Sequence, residues 1–208
     1  MPKNRSPLND ALQATIDGLR PLFDDGHSFP PHVTITGGIR ATSQAQIDGV
    51  LDAALAAAKS VPHINVVFSS LCYGSRFFKK VYFSVIPSPE LVSLARISRE
   101  EFVTAPRTMA SQKNYSALSQ QDRDNMALEA SQQADQWVQH EYDPHLSLVY
   151  SDAYPVDEAQ MRTIETRLED LFGLDYNTKG IGWTNGRLAV VRCEGEVESW
   201  EVLGYRDI

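Results

Sequence analysis

Pro31-His32-Val33-Thr34-Ile35-Thr36 in the first half of the chain and Pro144-His145-Leu146-Ser147-Leu148 in the second are one pattern written twice. Each reads Pro-His, aliphatic, hydroxyl, aliphatic. Side chains alternate between the faces of a strand, so residues two apart share a face. His32, Thr34 and Thr36 are expected to project together while Val33 and Ile35 pack behind. His145 and Ser147 project together while Leu146 and Leu148 pack behind. Each strand offers an imidazole and, roughly 6–7 Å along it, a hydroxyl. Two such strands at one cleft set two imidazoles against a bound group, with hydroxyl donors beside them. Pro62-His63-Ile64-Asn65 repeats the Pro-His but lacks the hydroxyl.

The rest of the chain supplies matching context for the two copies. Leu8 to Phe23 reads as a helix capped by Asn9 or Asp10. The first His strand runs from about His32 to Ile39 and loosens at Gly37-Gly38. Ser43 caps a helix over about Gln44 to Lys59, and Pro62 ends it. Strands are expected over Ile64 to Leu71 and about Lys79 to Ile86, with Tyr73 to Arg76 between them. Pro89 opens a helix reaching about Val103. Residues 104–123 are polar and irregular and read as a connector. A helix follows from about Asp124 to His140, then the second His strand from His145 to Tyr150. Val156 to Phe172 is helical and stops at Gly173. Ile181 to Trp183, Arg187 to Cys193 and Trp200 to Tyr205 close the chain as strands.

Side by side, residues about 8–86 and about 124–205 both run helix, Pro-His strand, helix, strand, strand. The expectation is an α+β chain forming a single domain. Its two pseudo-symmetric lobes, each an antiparallel sheet flanked by helices, would face a central cleft.

Composition narrows the function. The chain has 208 residues, enough for a sizeable core, and 42% hydrophobic content suits a globular protein. Nineteen basic against 27 acidic residues leave a net charge of −8. No global positive field is available for long nucleic acid, so an anionic partner is expected to be small and locally bound. Cys72 and Cys193 fit no metal-ligand spacing and suit a reducing compartment. No apolar run reaches the ~18 residues of a membrane span, and the first residues lack a signal-peptide core. A cytoplasmic monomer acting on a small molecule is the expectation.

The motifs resemble the 2H phosphoesterase superfamily. Phe29-Pro30-Pro31-His32-Val33-Thr34, Glu141 through Asp152 around His145, and Trp200-Glu201-Val202-Leu203-Gly204 look like the fungal 2′,3′-cyclic-nucleotide 3′-phosphodiesterases within it. The resemblance covers almost the whole chain. It implies a bilobal fold and metal-free opening of a cyclic phosphate to a monoester. It implies 2′,3′-cyclic nucleotides as substrates, giving 2′-phosphates. ADP-ribose 1″,2″-cyclic phosphate, a by-product of tRNA splicing, would likewise give the 1″-phosphate. It assigns His32 and His145 as the catalytic pair and Thr34 and Ser147 as phosphoryl-oxygen ligands. Tyr150 would line the substrate, although simple alternation sets it on the face opposite His145 and demands a bend. It also adds an association with the Golgi. Such relatives begin with an apolar strand, whereas this chain opens in what reads as the loop after it. A truncated start or a first lobe short of one strand is therefore expected.

The chemistry suits the residues. Histidine, with a pKa near 6.5, serves as acid or base at neutral pH. His145 is taken as base and His32 as acid. No cofactor is expected. Asp143 with His145 and His32 raises the thought of a metal, yet no third ligand has a recognisable spacing. His27, His63, His140, Arg76 and Lys79-Lys80 are read as solvated or structural, and Trp183 and Trp200 as core. The alternative functions are a nucleotide- or RNA-binding module of the same fold without turnover, and a metal-dependent phosphoesterase.

Overall fold

The computed structural model describes residues 1–208 apart from Asn4, Pro62, Lys113, Asn114 and the side chain of Ser116. Pro62, expected to end the second helix, thus lies outside the described residues. In chain order the elements are α1 (Pro7–Leu19), α2 (Gln44–Lys59), β1 (Asn65–Arg76), β2 (Lys79–Val85) and α3 (Pro89–Arg99). Then come α4 (Ala105–Ala110), α5 (Gln120–His140), β3 (His145–Val149), α6 (Glu158–Phe172), β4 (Gly182–Thr184), β5 (Arg187–Arg192) and β6 (Glu201–Asp207). Helices and antiparallel strands combine as the α+β class requires.

Side-chain oxygens start the helices, because the first N–H groups of a helix have no partner within it. Ser6, Ser43, Ser88, Ser119 and Asp157 each accept a backbone N–H at an N-cap. Ser6 takes the place expected of Asn9 or Asp10. Past Leu19 the chain tightens to a 3₁₀ turn, Arg20–Leu22, since Pro21 has no N–H to continue the α ladder. Past Arg99, α3 widens to a π turn over Glu100–Thr104 before α4. Pro106, one residue into α4, has no N–H to donate to the preceding turn, and Thr104 Oγ1 ties the π turn to α5 by donating to Ala130 O at 2.9 Å.

Four strands pair in the order β3-β2-β1-β4, all antiparallel. One face is the core. Phe68, Phe83, Val85, Leu146 and Leu148 are buried against Leu12, Ile16 and Leu19 of α1 and Ile164 and Leu168 of α6. Burying each such side chain contributes on the order of 1.5–3 kcal/mol. The other face carries Tyr82, Ser84, Ser70 and Cys72 in register with Ser147 and His145. A second sheet, β5-β6, packs on α2. Gly204 permits the close approach, since a Cβ there would lie 2.9 Å from Leu51.

Strand pairing crosses the division drawn at residues 86 and 124: β1 and β2 share a sheet with β3 and β4. The stretch 104–123 holds α4, a 3₁₀ turn at Tyr115–Ala117 and the start of α5. Tyr73 to Arg76, expected between strands, belongs to β1, and the hairpin turns at Phe77–Phe78. The expected strand from His32 to Ile39 is reduced to a single antiparallel bridge, Val33 to Leu146. Pro30 and Pro31 donate nothing to a ladder, and Gly38 turns the chain away at φ +83°.

Candidate active site

The Val33–Leu146 bridge brings the two Pro-His motifs side by side. In an antiparallel pair the neighbours of a bridged pair also face each other. His32 therefore lies across from Ser147, and Thr34 from His145, all four on the face opposite the buried Val33, Leu146 and Leu148. Each imidazole is flanked by the hydroxyl of the other motif. Sequence alternation within each motif foresaw the shared face; the partnership between motifs needed the fold.

Both rings are held in the same way. His32 Nδ1 is 2.7 Å from Pro30 O, and His145 Nδ1 is 2.7 Å from Asp143 O. A carbonyl only accepts, so Nδ1 carries the hydrogen in each neutral ring and Nε2 holds the free lone pair. Both imidazoles titrate below their ordinary value. For His32, loss of hydration is the main cause, opposed by the Pro30 carbonyl. For His145, loss of hydration again leads, opposed by the Asp143 carbonyl and assisted by the Lys79 ammonium.

Their surroundings then diverge. Tyr150 Oη donates to His32 Nε2 at 3.3 Å. The Tyr150 ring stacks on Phe29 with centroids 3.7 Å apart, and Phe78 and Trp200 close its other sides. Burial raises the Tyr150 hydroxyl well above the usual phenol range and keeps it a donor. The bend needed to turn Tyr150 toward the site is a register shift in the β2–β3 ladder: Tyr82 pairs with Ser147 but Val81 with Val149. One extra residue in β3 resets the alternation before Tyr150.

His145 stands instead beside an ion pair. Lys79 Nζ bonds the Asp143 carboxylate and lies 5.1 Å over the Tyr82 ring. Tyr82 meets His145 edge to face at 5.6 Å. Asp143 is thereby engaged with Lys79, and among the described residues no cluster of three metal-ligating side chains forms. Lys79, Tyr82 and Phe29 were not singled out as site residues from sequence. Lys79 was read as solvated and Phe29 only as part of the first motif, and what ties Lys79 and Tyr82 to the site is the pairing of β2 with β3, which the sequence did not reveal.

The hydroxyls differ in readiness. Thr34 is exposed. Ser147 is buried and donates to Phe78 O at 2.5 Å. A cavity of about 660 Å³ between residues 28–41, α2 and β5 takes in His32, Thr34 and Thr36 but not His145, Ser147 or Tyr150. The two histidines thus meet on an open face beside this cavity, and His32 and Thr34 border both.

The other basic groups lie elsewhere. His27 is tied to Glu198 at 2.9 Å, while His63 and His140 are exposed. Lys80, read as solvated, is buried and donates to Ala153 O at 2.6 Å. Its burial next to buried Val81 breaks the alternation of β2, and a carbonyl supplies the partner that water would have given. Among the described residues no helix is long and apolar enough to cross a membrane.

Comparison with known proteins gives this geometry a family. A protein of Yarrowia lipolytica named 2′,3′-cyclic-nucleotide 3′-phosphodiesterase is 55% identical over 207 residues, covering 99% of this chain and 96% of that one. Proteins of the same name from Debaryomyces hansenii and Candida albicans are 36% and 34% identical. The first comparison covers 97% of this chain and 99% of the relative, and the second 100% and 96%. The family model described as cyclic phosphodiesterase-like protein matches residues 1–208. On that match and these identities, the chain belongs to the cyclic phosphodiesterase-like family.

Proposed function

We propose that the protein hydrolyses 2′,3′-cyclic nucleotides to 2′-phosphates, with His32 and His145 as the acid–base pair. The observation that carries this reading is the cross-motif pairing, which sets each imidazole, its Nδ1 held by a backbone carbonyl, across from the hydroxyl residue of the other motif. A water loses its proton to one imidazole and attacks phosphorus. The bond from phosphorus to the 3′ oxygen breaks, and the other imidazole gives that oxygen a proton. Each proton transfer accounts for about 10²–10⁴ in rate.

His145 is the base and His32 the acid in this reading. The Lys79 ammonium beside His145 favours the neutral form a base needs. Thr34 and Ser147 hold the non-bridging oxygens, and Ser147 turns its hydroxyl from Phe78 O to do so. Tyr150 lines the substrate and transfers its hydrogen bond from His32 Nε2 to a phosphoryl oxygen, leaving Nε2 to face the 3′ oxygen. ADP-ribose 1″,2″-cyclic phosphate, opened to the 1″-phosphate, is the second substrate, which links the enzyme to tRNA splicing by-products. The chain acts as a monomer of two lobes in the cytoplasm and requires no metal for these steps.

The test is an assay on 2′,3′-cyclic AMP with and without EDTA, with product regiochemistry by NMR. Release of 2′-AMP in EDTA is the expected result. Binding without turnover would make the protein a nucleotide-binding module. Activity lost in EDTA and restored by a divalent metal would overturn the two-histidine mechanism.

A further inference from the structure

The chain carries an excess of acid, yet two guanidinium groups reach the adjacent glycines of the turn that follows Thr36, and among the described residues neither has a carboxylate partner. Arg99, the last residue of α3, donates from Nη1 to Gly37 O at 3.1 Å. Its guanidinium lies 4.7 Å over the Trp137 ring. Its Nε is buried and has no hydrogen-bond partner. Arg107 of α4 packs over the next residue: a Cβ on Gly38 would lie 3.1 Å from Arg107 Nη2. Among the described residues neither arginine forms an ion pair, whereas Arg96, three residues before Arg99, has both Asp135 and Glu100. Burial lowers the affinity of Arg99 for its proton, the Arg107 charge lowers it further, and the Glu141 carboxylate only partly offsets them. Two like charges set this close are held at a cost that an anion between them removes.

Position gives the pair its meaning. Gly37 lies three residues beyond Thr34, about 10 Å along an extended chain. The cavity that begins at His32 and Thr34 runs on past Gly37 and Gly38 to Ser98 and Phe102, and Arg99 and Arg107 stand beside its glycine wall rather than on its lining. The Arg99 fork is braced by Trp137 and Gly37, the arrangement in which a guanidinium grips phosphate with least loss of freedom.

We propose that Arg99 and Arg107 form a second anion site, which takes a phosphate or diphosphate carried on the same molecule as the cyclic phosphate. This rests on the reading of the His32–His145 face as the cyclic-phosphate site and extends it to the far end of the substrate. A phosphate on the 5′ oxygen of a cyclic nucleotide and the diphosphate of ADP-ribose cyclic phosphate share this chemistry. The glycine at position 38 suits it. Gly38 adopts φ +83°, and a side chain there would displace the Arg107 guanidinium.

The experiment compares 2′,3′-cyclic AMP, the same nucleotide bearing a 5′-phosphate, and ADP-ribose 1″,2″-cyclic phosphate. KM is measured for the full chain, R107Q, R99K and R99Q/R107Q. The native protein is expected to show a KM at least about tenfold lower for one or both phosphate-bearing substrates than for 2′,3′-cyclic AMP, as charge-assisted contacts give. The substrate that gains identifies the source of the phosphate. That ratio should fall toward one in R99Q/R107Q and most of the way in R107Q, whose side chain is exposed and whose loss spares the packing on Trp137. R99K, keeping charge without the fork, should lose part of it. Equal KM values in the native protein, or a ratio that survives R107Q and R99Q/R107Q alike, overturn the second site while leaving the cyclic phosphodiesterase reading standing. No hydrolysis of any of the three overturns that reading and the second site together.

Discussion

The phenol of Tyr150 stands 3.3 Å from Nε2 of His32, while His145 has a lysine–aspartate pair at its back and no phenol on its Nε2. Two imidazoles fixed by the same carbonyl contact are made unlike by what surrounds them. A donor on Nε2 stabilises the neutral ring, so Tyr150→Phe should make His32 easier to protonate. The stack on Phe29 is kept. The His32 titration, followed by its imidazole proton resonances in NMR, should move upward by up to about one pH unit. An unmoved titration would show that the hydroxyl does not act on His32.

Lys79 and Asp143 pull His145 in opposite directions. Lys79→Met leaves the carboxylate unopposed and should raise the His145 titration. Asp143→Asn leaves the ammonium unopposed and should lower it, with the backbone carbonyl of residue 143 still holding Nδ1. The paired experiment has a built-in control, because His32 should respond to neither. Shifts of the same sign in both variants would place the effect in altered packing rather than charge.

Much of this site was legible because strand alternation is a local rule. It set His32 with Thr34 and His145 with Ser147 before any coordinates. The helices were legible from local signals too, the Ser43 cap, Pro89 and apolar spacing, although the cap of α1 fell on Ser6 rather than Asn9 or Asp10. What sequence could not carry was pairing. Lys79, read as solvated, lies beside His145 because β2 is the neighbour of β3. Lys80 is buried although alternation along β2 would set it with Tyr82 and Ser84 on the outer face. The His32 strand dissolved to one bridge, since two prolines and a glycine turn leave it little to pair with. Tyr150 reached the site through a bulge, which leaves no trace in composition.

Both histidines titrate below 6.5 in the fold, which moves the expected pH profile. The kcat/KM bell should centre on the acid side of 6.5, and the kcat bell should lie higher, since bound phosphate favours the charged imidazoles. Its limbs belong to the pair rather than to either ring. A profile flat over about pH 5–9 would remove the imidazoles from the mechanism.

Stability should carry the same signature. A histidine whose folded pKa is depressed is neutral in both states above about 6.5 and contributes nothing there to the slope. Below that, the unfolded chain binds the proton first, so stability falls as the pH drops from 6.5 toward the folded values. Chemical denaturation between pH 7.5 and 5 should show a shallower decline in H32Q/H145Q than in the native protein. Equal slopes would mean that other groups govern the acid side.

Replacing either His32 or His145 with Ala should lower kcat by at least about 10²-fold, and the double variant should be little worse than the poorer single one. His63→Ala, at an exposed position before β1, should stay close to native. Comparable damage at His63 would mean the wrong Pro-His had been chosen.

The bridge between Val33 and Leu146 joins segments that lie more than a hundred residues apart in the chain. Closing so long a loop for one pair of backbone contacts is a poor way to begin folding. The hairpin of β1 and β2 and the capped helices can form from near neighbours, whereas the two imidazoles come together only when nearly everything between them is in place. On refolding from denaturant, far-ultraviolet dichroism should therefore recover before turnover does. Catalytic competence in this chain is a late event, and a folding intermediate with most of its secondary structure would be inert.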